Sequence, residues 1–204
     1  MASYYISPVG EFRHPWFNRP DTKFNADGLY HTDLLVSGRA AEDLAAKIEQ
    51  AAQAALAEHV QEMKPGEAKK WNLYVPFERE EDDEGNQTGR ISFTFKQNAK
   101  IASKKEPSGY KEVKIELRDS KDNVIDVNVW DGSEGRIMFT MRPIVMVSSK
   151  QAGVRLDFAK VQITKLVQGG GGGRGFGEVE DGFVADEKDT GFGSTEGEDQ
   201  GGDY

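Results

Sequence analysis

Apolar and polar residues alternate with a period of two through most of the second half of the chain. The pattern runs through ISFTFK (91–96), KEVKIELRD (111–119), NVIDVNVW (123–130), RIMFTMRPIVMV (136–147) and GVRLDFAKVQITKLV (153–167). Alternation of this kind turns one side of a segment to a core and the other to solvent, which predicts β-strands. GLYHTDLLV (28–36) predicts an earlier strand, and WNLYVPF (71–77) the strand that faces ISFTFK. DSKDN, DGSEG and SSKQAG supply turns between them. One segment changes period: in residues 40–63, Leu44, Ile48, Ala52, Ala55, Val60 and Met63 recur near helical spacing, and Lys64, Pro65 and Gly66 end the run. About five to seven antiparallel strands and one α-helix predict a mainly β fold, best matched by an OB-fold-like barrel, because closure removes exposed sheet edges. A β-sandwich would show the same period-two pattern.

The alternation stops at Gln168, and the composition changes with it. Residues 169–204 hold 13 of the 23 glycines and two basic residues against ten acidic ones, so nearly all of the net charge of −9 lies there. Such a segment cannot bury enough apolar surface to offset the entropy of ordering it. Two parts are therefore expected: a folded domain over residues 1–168 and a disordered, Gly-rich acidic tail over 169–204, with glycines 169–173 as linker. The tail carries Phe176, Phe183, Phe192 and the terminal Tyr204 among its acids. Spaced rings among negative charges imitate a single nucleic-acid strand, and a tail that only solubilised would gain nothing from aromatics.

Charge within the body narrows the chemistry. EREEDDE (78–84) followed by GNQTG reads as a solvated hairpin loop, and the spacing of Asp82, Asp83, Glu84 and Asn86 does not fit a calcium loop. There is no cysteine, and His14, His31 and His59 lack metal-motif spacing, so no metal or other cofactor is expected. No Gly-rich phosphate loop follows a strand and no nucleophile elbow appears, which argues against an enzyme. The longest aliphatic run is IVMV (144–147) and no basic, apolar leader opens the chain, so a soluble, intracellular protein without a membrane partner is expected.

Residues 90–118 reverse the sign, with eight basic residues against Glu106, Glu112 and Glu116. In KEVKIELR, Lys111, Val113, Ile115 and Leu117 share one face, and Glu112, Lys114, Glu116 and Arg118 the other. Lys96, Lys100, Lys104 and Lys105 lie just before, with Tyr110 between. Cations that track phosphates, interleaved with rings that stack on bases, are what a single-stranded nucleic acid needs. FRHPWFNRPD (12–21) adds Trp16 and Phe17 between prolines, flanked by Arg13 and Arg19, at what reads as a loop or strand end. Phe93, Phe95, Trp130, Phe139 and Phe158 fall on strands and are read mostly as core, while Tyr4, Tyr5, Tyr30, Trp71 and Tyr74 stay unassigned. RNA binding by an OB or cold-shock barrel, and an acidic-tailed chaperone-like interaction protein, are the competing readings.

The order of these parts resembles the replication single-stranded DNA-binding proteins of short-tailed bacteriophages. GLYHTDLLV, the alanine-rich helix, the WNLYVPFEREEDDEGNQTGRISFTFK hairpin, the RPD before the first strong strand, the SKDNVIDVN turn and the acidic tail ending in an aromatic carry the resemblance, which covers essentially the whole chain. It implies an OB-fold that coats single-stranded DNA in viral replication and recombination, in the cytoplasm of the host cell. It also implies annealing, and recruitment of the viral DNA polymerase and helicase-primase by the tail, through Glu196, Glu198, Asp199, Asp203 and Tyr204. A homodimer is compatible with it.

Overall fold

Five of the strands close on themselves. The computed structural model describes residues 3–23 and 25–167. Strands β1 (Tyr5–Ile6), β2 (Gly10–Asp21) and β3 (Leu29–Ser37) precede α1 (Gly38–Val60), α2 (Pro65–Ala68), β4 (Asn72–Tyr74), β5 (Phe77–Glu81) and β6 (Gln87–Asn98). The short β7 (Lys100–Ala102), β8 (Tyr110–Glu112), β9 (Glu116–Arg118) and β10 (Val124–Ile125) then lead to β11 (Glu134–Met146) and β12 (Gln151–Lys165). Pairing runs β2, β3, β6, β12, β11 and returns from β11 to β2 through Gly135↔Gly10, which is the closed, five-stranded order of an OB barrel.

The interior follows the alternation. Phe93 and Phe95 of β6, Ile137 and Phe139 of β11, and Leu156 and Phe158 of β12 are all buried, meeting Leu34 of β3 and Phe12 of β2. Phe95 lies edge-on to Phe139 and Phe158, with ring centroids 5.2 and 6.4 Å apart. Helix α1 buries Ala41, Leu44, Ala45, Ile48 and Ala52 against β3, β6, β11 and β12, a stripe at helical spacing. Two bulges in the β11/β12 ladder, one of them between Met138 and Phe139, bend the pair enough to close the ring.

The predicted elements are present with specific changes. The residue 40–63 helix and the β5/β6 hairpin over the acidic turn both form; Asp82 accepts hydrogen bonds from the amides of Glu84 and Asn86 to shape that turn. The expectation of purely antiparallel pairing is corrected: β12 runs parallel to β4, β6 and β9. Residues 111–119 form two strands rather than one, because β8 leaves the barrel to pair with β7 in a separate hairpin while β9 joins β12. Of residues 123–130 only Val124 and Ile125 pair, with β9. Strand β2 is longer than the residue pattern predicts. The tail over 169–204 lies outside the described residues.

Among the unassigned aromatics, Tyr30 is buried, Trp71 packs edge-on against His59 with centroids 4.1 Å apart, and Tyr4 and Tyr5 are exposed.

Candidate nucleic-acid interface

A single residue in β2 decides which side chains face outward. Arg13 pairs with Asp33 and Trp16 with His31, so three steps on β2 match two on β3. His14, at a φ of 51°, takes up the extra residue. Because side-chain direction alternates, this insertion reverses the parity of the residues that follow it, Trp16 and Phe17, up to a second register shift before Asp21. Phe17 therefore points inward, 2% exposed, onto Phe12 and Phe158, and Trp16 points outward. Phe17 is thus corrected from a stacking residue to a core residue.

The outward direction at Trp16 starts a lateral row. Trp16 pairs with His31, His31 with Lys96, Lys96 with Asp157 and Asp157 with Thr140, one residue from each of five adjacent strands. Directly opposed residues point to the same side of a sheet, so the row crosses the outer face of β3 and β6, where OB barrels take oligonucleotides, over roughly 19 Å. Trp16 stands beside His31 with ring centroids 6.0 Å apart, and the Arg19 guanidinium lies 5.5 Å from its ring. His31 meets Asp21 at 3.4 Å. The Lys23 amide, with His31 second, holds the Asp21 carboxyl below its ordinary range. At the other end Asp157 accepts from both Arg142, at 2.6 Å, and Arg155, so two guanidiniums share one carboxylate and the local balance is positive. Arg155 also donates to Asn98 at 3.1 Å.

The β7/β8 hairpin adjoins this face. It leaves directly from the end of β6, and Lys100 contacts Asp27, in the loop between β2 and β3, at 3.6 Å. Lys100 Nζ sits 4.8 Å from the Tyr110 ring, which is 36% exposed. Lys104, Lys105, Lys111 and Lys114 are exposed. These four and Lys96 make no ion pair with another described residue. A cluster of uncompensated cations at the edge of an aromatic-bearing face is suited to a polyanion with stacked bases.

Two of the expected cations serve other groups. Arg13 binds the Glu80 carboxylate at 3.1 Å, and Glu80 also receives Arg90 at 2.6 Å and the Thr88 hydroxyl at 3.0 Å. Together, with Arg90 foremost, they pull the Glu80 carboxyl down to about 2. Arg118 binds Glu116 at 2.6 Å and the Asp122 carbonyl at 2.6 Å, pinning the DSKDN turn; Glu116 also receives Lys160. Both arginines are neutralised where they stand and hold the fold. Arg19, Trp16, Lys96 and the hairpin lysines with Tyr110 are brought to one side of the barrel.

Sequence reasoning misses four contributors. Trp130, read with the core aromatics, is 51% exposed, on the same side of the 126–132 segment as Asp126 and Asn128 and opposite the buried Val129; that shared parity is the signal the sequence offers. His31 sits on an alternating strand and gives no signal of its own. Arg142 and Arg155 are far apart in sequence and meet only through the β11/β12 register.

With this geometry in view, the comparisons with known proteins agree. The family model described as "Single-stranded DNA-binding protein, Bacteriophage T7" matches residues 6–166. The crystal structure of gp2.5, a single-stranded DNA-binding protein encoded by bacteriophage T7, superposes with a TM-score of 0.71 at 22% identity, covering 91% of this chain and 100% of that one. The single-stranded DNA-binding protein of bacteriophage Enc34, in complex with single-stranded DNA, superposes at 0.55 and 8% identity, over 82% of this chain and 89% of its own. A search among curated proteins finds no match. At these identities the two structures speak for the fold, while the family model spans most of the chain. The chain belongs to the family of the bacteriophage T7 single-stranded DNA-binding protein.

Proposed function

We propose that this chain binds and coats single-stranded DNA without sequence specificity during viral DNA replication and recombination in the host cytoplasm, and promotes annealing. The observation that carries the reading is the row from Trp16 through His31 to Lys96 on the outer face of β3 and β6, next to the unpaired lysines of the β7/β8 hairpin. Rings there offer stacking that every base can use, and the lysines offer contacts to any phosphate. Nothing in the row resembles a convergent set of base-edge donors and acceptors. Family membership supports the same ligand. Among the described residues no helix is long and apolar enough to cross a membrane.

The tail over 169–204 extends the proposal. Its charges and spaced rings compete with DNA for the basic face, and DNA binding frees Tyr204 to dock on the viral polymerase and helicase-primase. Tethering to the body raises the tail's effective concentration to the order of millimolar, so weak self-binding suffices.

Competition between single-stranded DNA, RNA and duplex for a fluorescein-labelled single strand tests the first part. Single-stranded DNA displaces the probe best, with a site of about 4–16 nucleotides per barrel; RNA displacing it equally well would favour the RNA-binding reading. Deleting residues 178–204 tightens DNA binding at low salt and abolishes polymerase capture; equal affinity with and without the tail would refute the competition.

A further inference from the structure

Beside β2, at the Trp16 end of the lateral row, lies an open pocket of about 770 Å³ lined by an indole from each of two parts of the chain, Trp16 of β2 and Trp130 of the 126–132 segment. That segment is tied to β2 at both ends of the pocket. The His14 amide donates to Asp131 Oδ1 at 2.7 Å, and Asn18 Nδ2 donates to the Val127 carbonyl at 2.8 Å. Further along, the Gly132 amide donates to the Phe12 carbonyl and the Phe12 amide to the Ser133 carbonyl. The walls are thus held by bonds between distant parts of the sequence. Buried Phe17 contributes to the lining, together with the exposed Asn128 side chain.

The two indoles differ in what already occupies them. Trp16 is flanked by His31 and by the Arg19 guanidinium. Trp130 is half exposed and no described ring lies against it. The two indoles in one pocket, rimmed by Arg19, Asn18 and Asn128, make a contiguous apolar surface of the kind that marks a ligand site, whereas a single exposed ring would signal nothing. The pocket is within the range for small organic ligands, which is ample for a planar group with a flanking anion. Arg19 supplies a cation beside it, and the Asn128 amide offers both a donor and an acceptor, which suits the edge of any base. Trp16 belongs both to this pocket and to the lateral row, so a strand lying along the row reaches the pocket without leaving the protein.

We propose that the pocket takes one unpaired nucleobase of the bound strand, stacked on Trp130, with Arg19 on the adjoining phosphate. This rests on the single-stranded DNA reading and adds a site to it. The base leaves the line of its neighbours on β3 and β6 and is held to the side, so the pocket fixes the strand's path around β2 and contributes affinity that depends on a base rather than on charge.

The test uses the full chain, whose three tryptophans are Trp16, Trp71 and Trp130. Trp71→Phe is compared with Trp71→Phe/Trp130→Leu, so that the difference in emission belongs to Trp130. Each is titrated with a twelve-nucleotide oligothymidylate, with an equally long strand of abasic sites, and, in parallel, with a fluorescein-labelled oligothymidylate read by anisotropy. Trp130 emission falls in step with the anisotropy for oligothymidylate and not for the abasic strand, and Trp130→Leu weakens binding about tenfold at unchanged urea midpoint. Normal anisotropy with unmoved Trp130 emission and undiminished affinity of Trp130→Leu would overturn the pocket and leave the DNA reading standing. No anisotropy change with the native chain would overturn both.

Discussion

Phe12 and Phe17, five residues apart on one strand, meet edge to face with their ring centroids 5.2 Å apart. An unbroken strand would send them to opposite sides. The extra residue at His14 brings both into the barrel and, by the same step, turns Trp16 out. The neighbours should therefore answer substitution in opposite ways. Phe17→Ala empties core volume and costs about 3–5 kcal/mol, a fall in Tm on the order of 10 °C. Trp16→Ala lowers Tm far less and weakens single-stranded DNA binding severalfold. Calorimetry and an anisotropy titration on the same two proteins check both halves; equal thermal losses would contradict the outward assignment of Trp16.

Glu80 makes stability depend on acid. Its carboxyl lies at about 2 in the folded chain against an ordinary 4.5, because Arg90, Thr88 and Arg13 all bind its ionised form. A depressed carboxyl adds stability above its unfolded value and loses it as the pH falls through the folded one. The contribution is complete at neutral pH and drains away between pH 4.5 and about 2. Urea midpoints measured across that window should drop for the native chain. Glu80→Gln should start lower at pH 7 and drop less steeply.

The hairpin lysines set the salt response. Each phosphate contact on a single strand contributes about 0.7 to the slope of log affinity against log salt. Replacing Lys104 and Lys105 by alanine removes roughly 1.4 from that slope and leaves the urea midpoint in place, since both side chains are exposed on a turn outside the barrel. Arg118→Ala should do the reverse, loosening the turn that it pins through Asp122 and changing the slope little. Slopes from titrations at four or more salt concentrations separate the two.

Gly153 faces the Tyr74 backbone across the parallel β12/β4 pair, and a methyl group built there would collide with the Tyr74 carbonyl oxygen. Backbone cannot step aside as a side chain end can. Gly153→Ala should destabilise by about 1–3 kcal/mol, visible as an earlier thermal transition. Gly66→Ala, with nothing near it, should be close to neutral.

How much of this can be read from the residues differs element by element. Strands β6, β11 and β12 and helix α1 declare themselves because each buries one face and keeps its period, as Phe93, Phe95 and the Leu44, Ile48, Ala52 stripe show. Strand β2 does not, because a positive-φ histidine and two prolines interrupt the alternation in FRHPWFNRPD, and the interrupted pattern puts Phe17 outside. Trp130 misleads for a different reason: in NVIDVNVW it shares the parity of Asp126 and Asn128, not that of Ile125, Val127 and the buried Val129, so a reading by residue type puts the indole in the core while the alternation itself puts it in solvent. The lysines are legible as a patch from composition alone. Which arginines are free is not, since Arg13 meets Glu80 only through the fold, and Arg118 meets its near neighbours Glu116 and Asp122 only because β9 and the turn after it bring them round to it.

Strand β12 has a consequence for the order in which the molecule can be made. It pairs with β4, β6, β9 and β11, and every one of those partners is translated before it. A chain emerging at roughly 5–20 residues per second carries these strands, each lacking an edge partner, until residues 151–165 leave the ribosome. Helix α1 and the β5/β6 hairpin can form early from local contacts, but the ring cannot close by stages. For several seconds in each synthesis the nascent body offers open strand edges to its neighbours, and a polysome crowded with copies of this chain is where mispairing between them is most exposed.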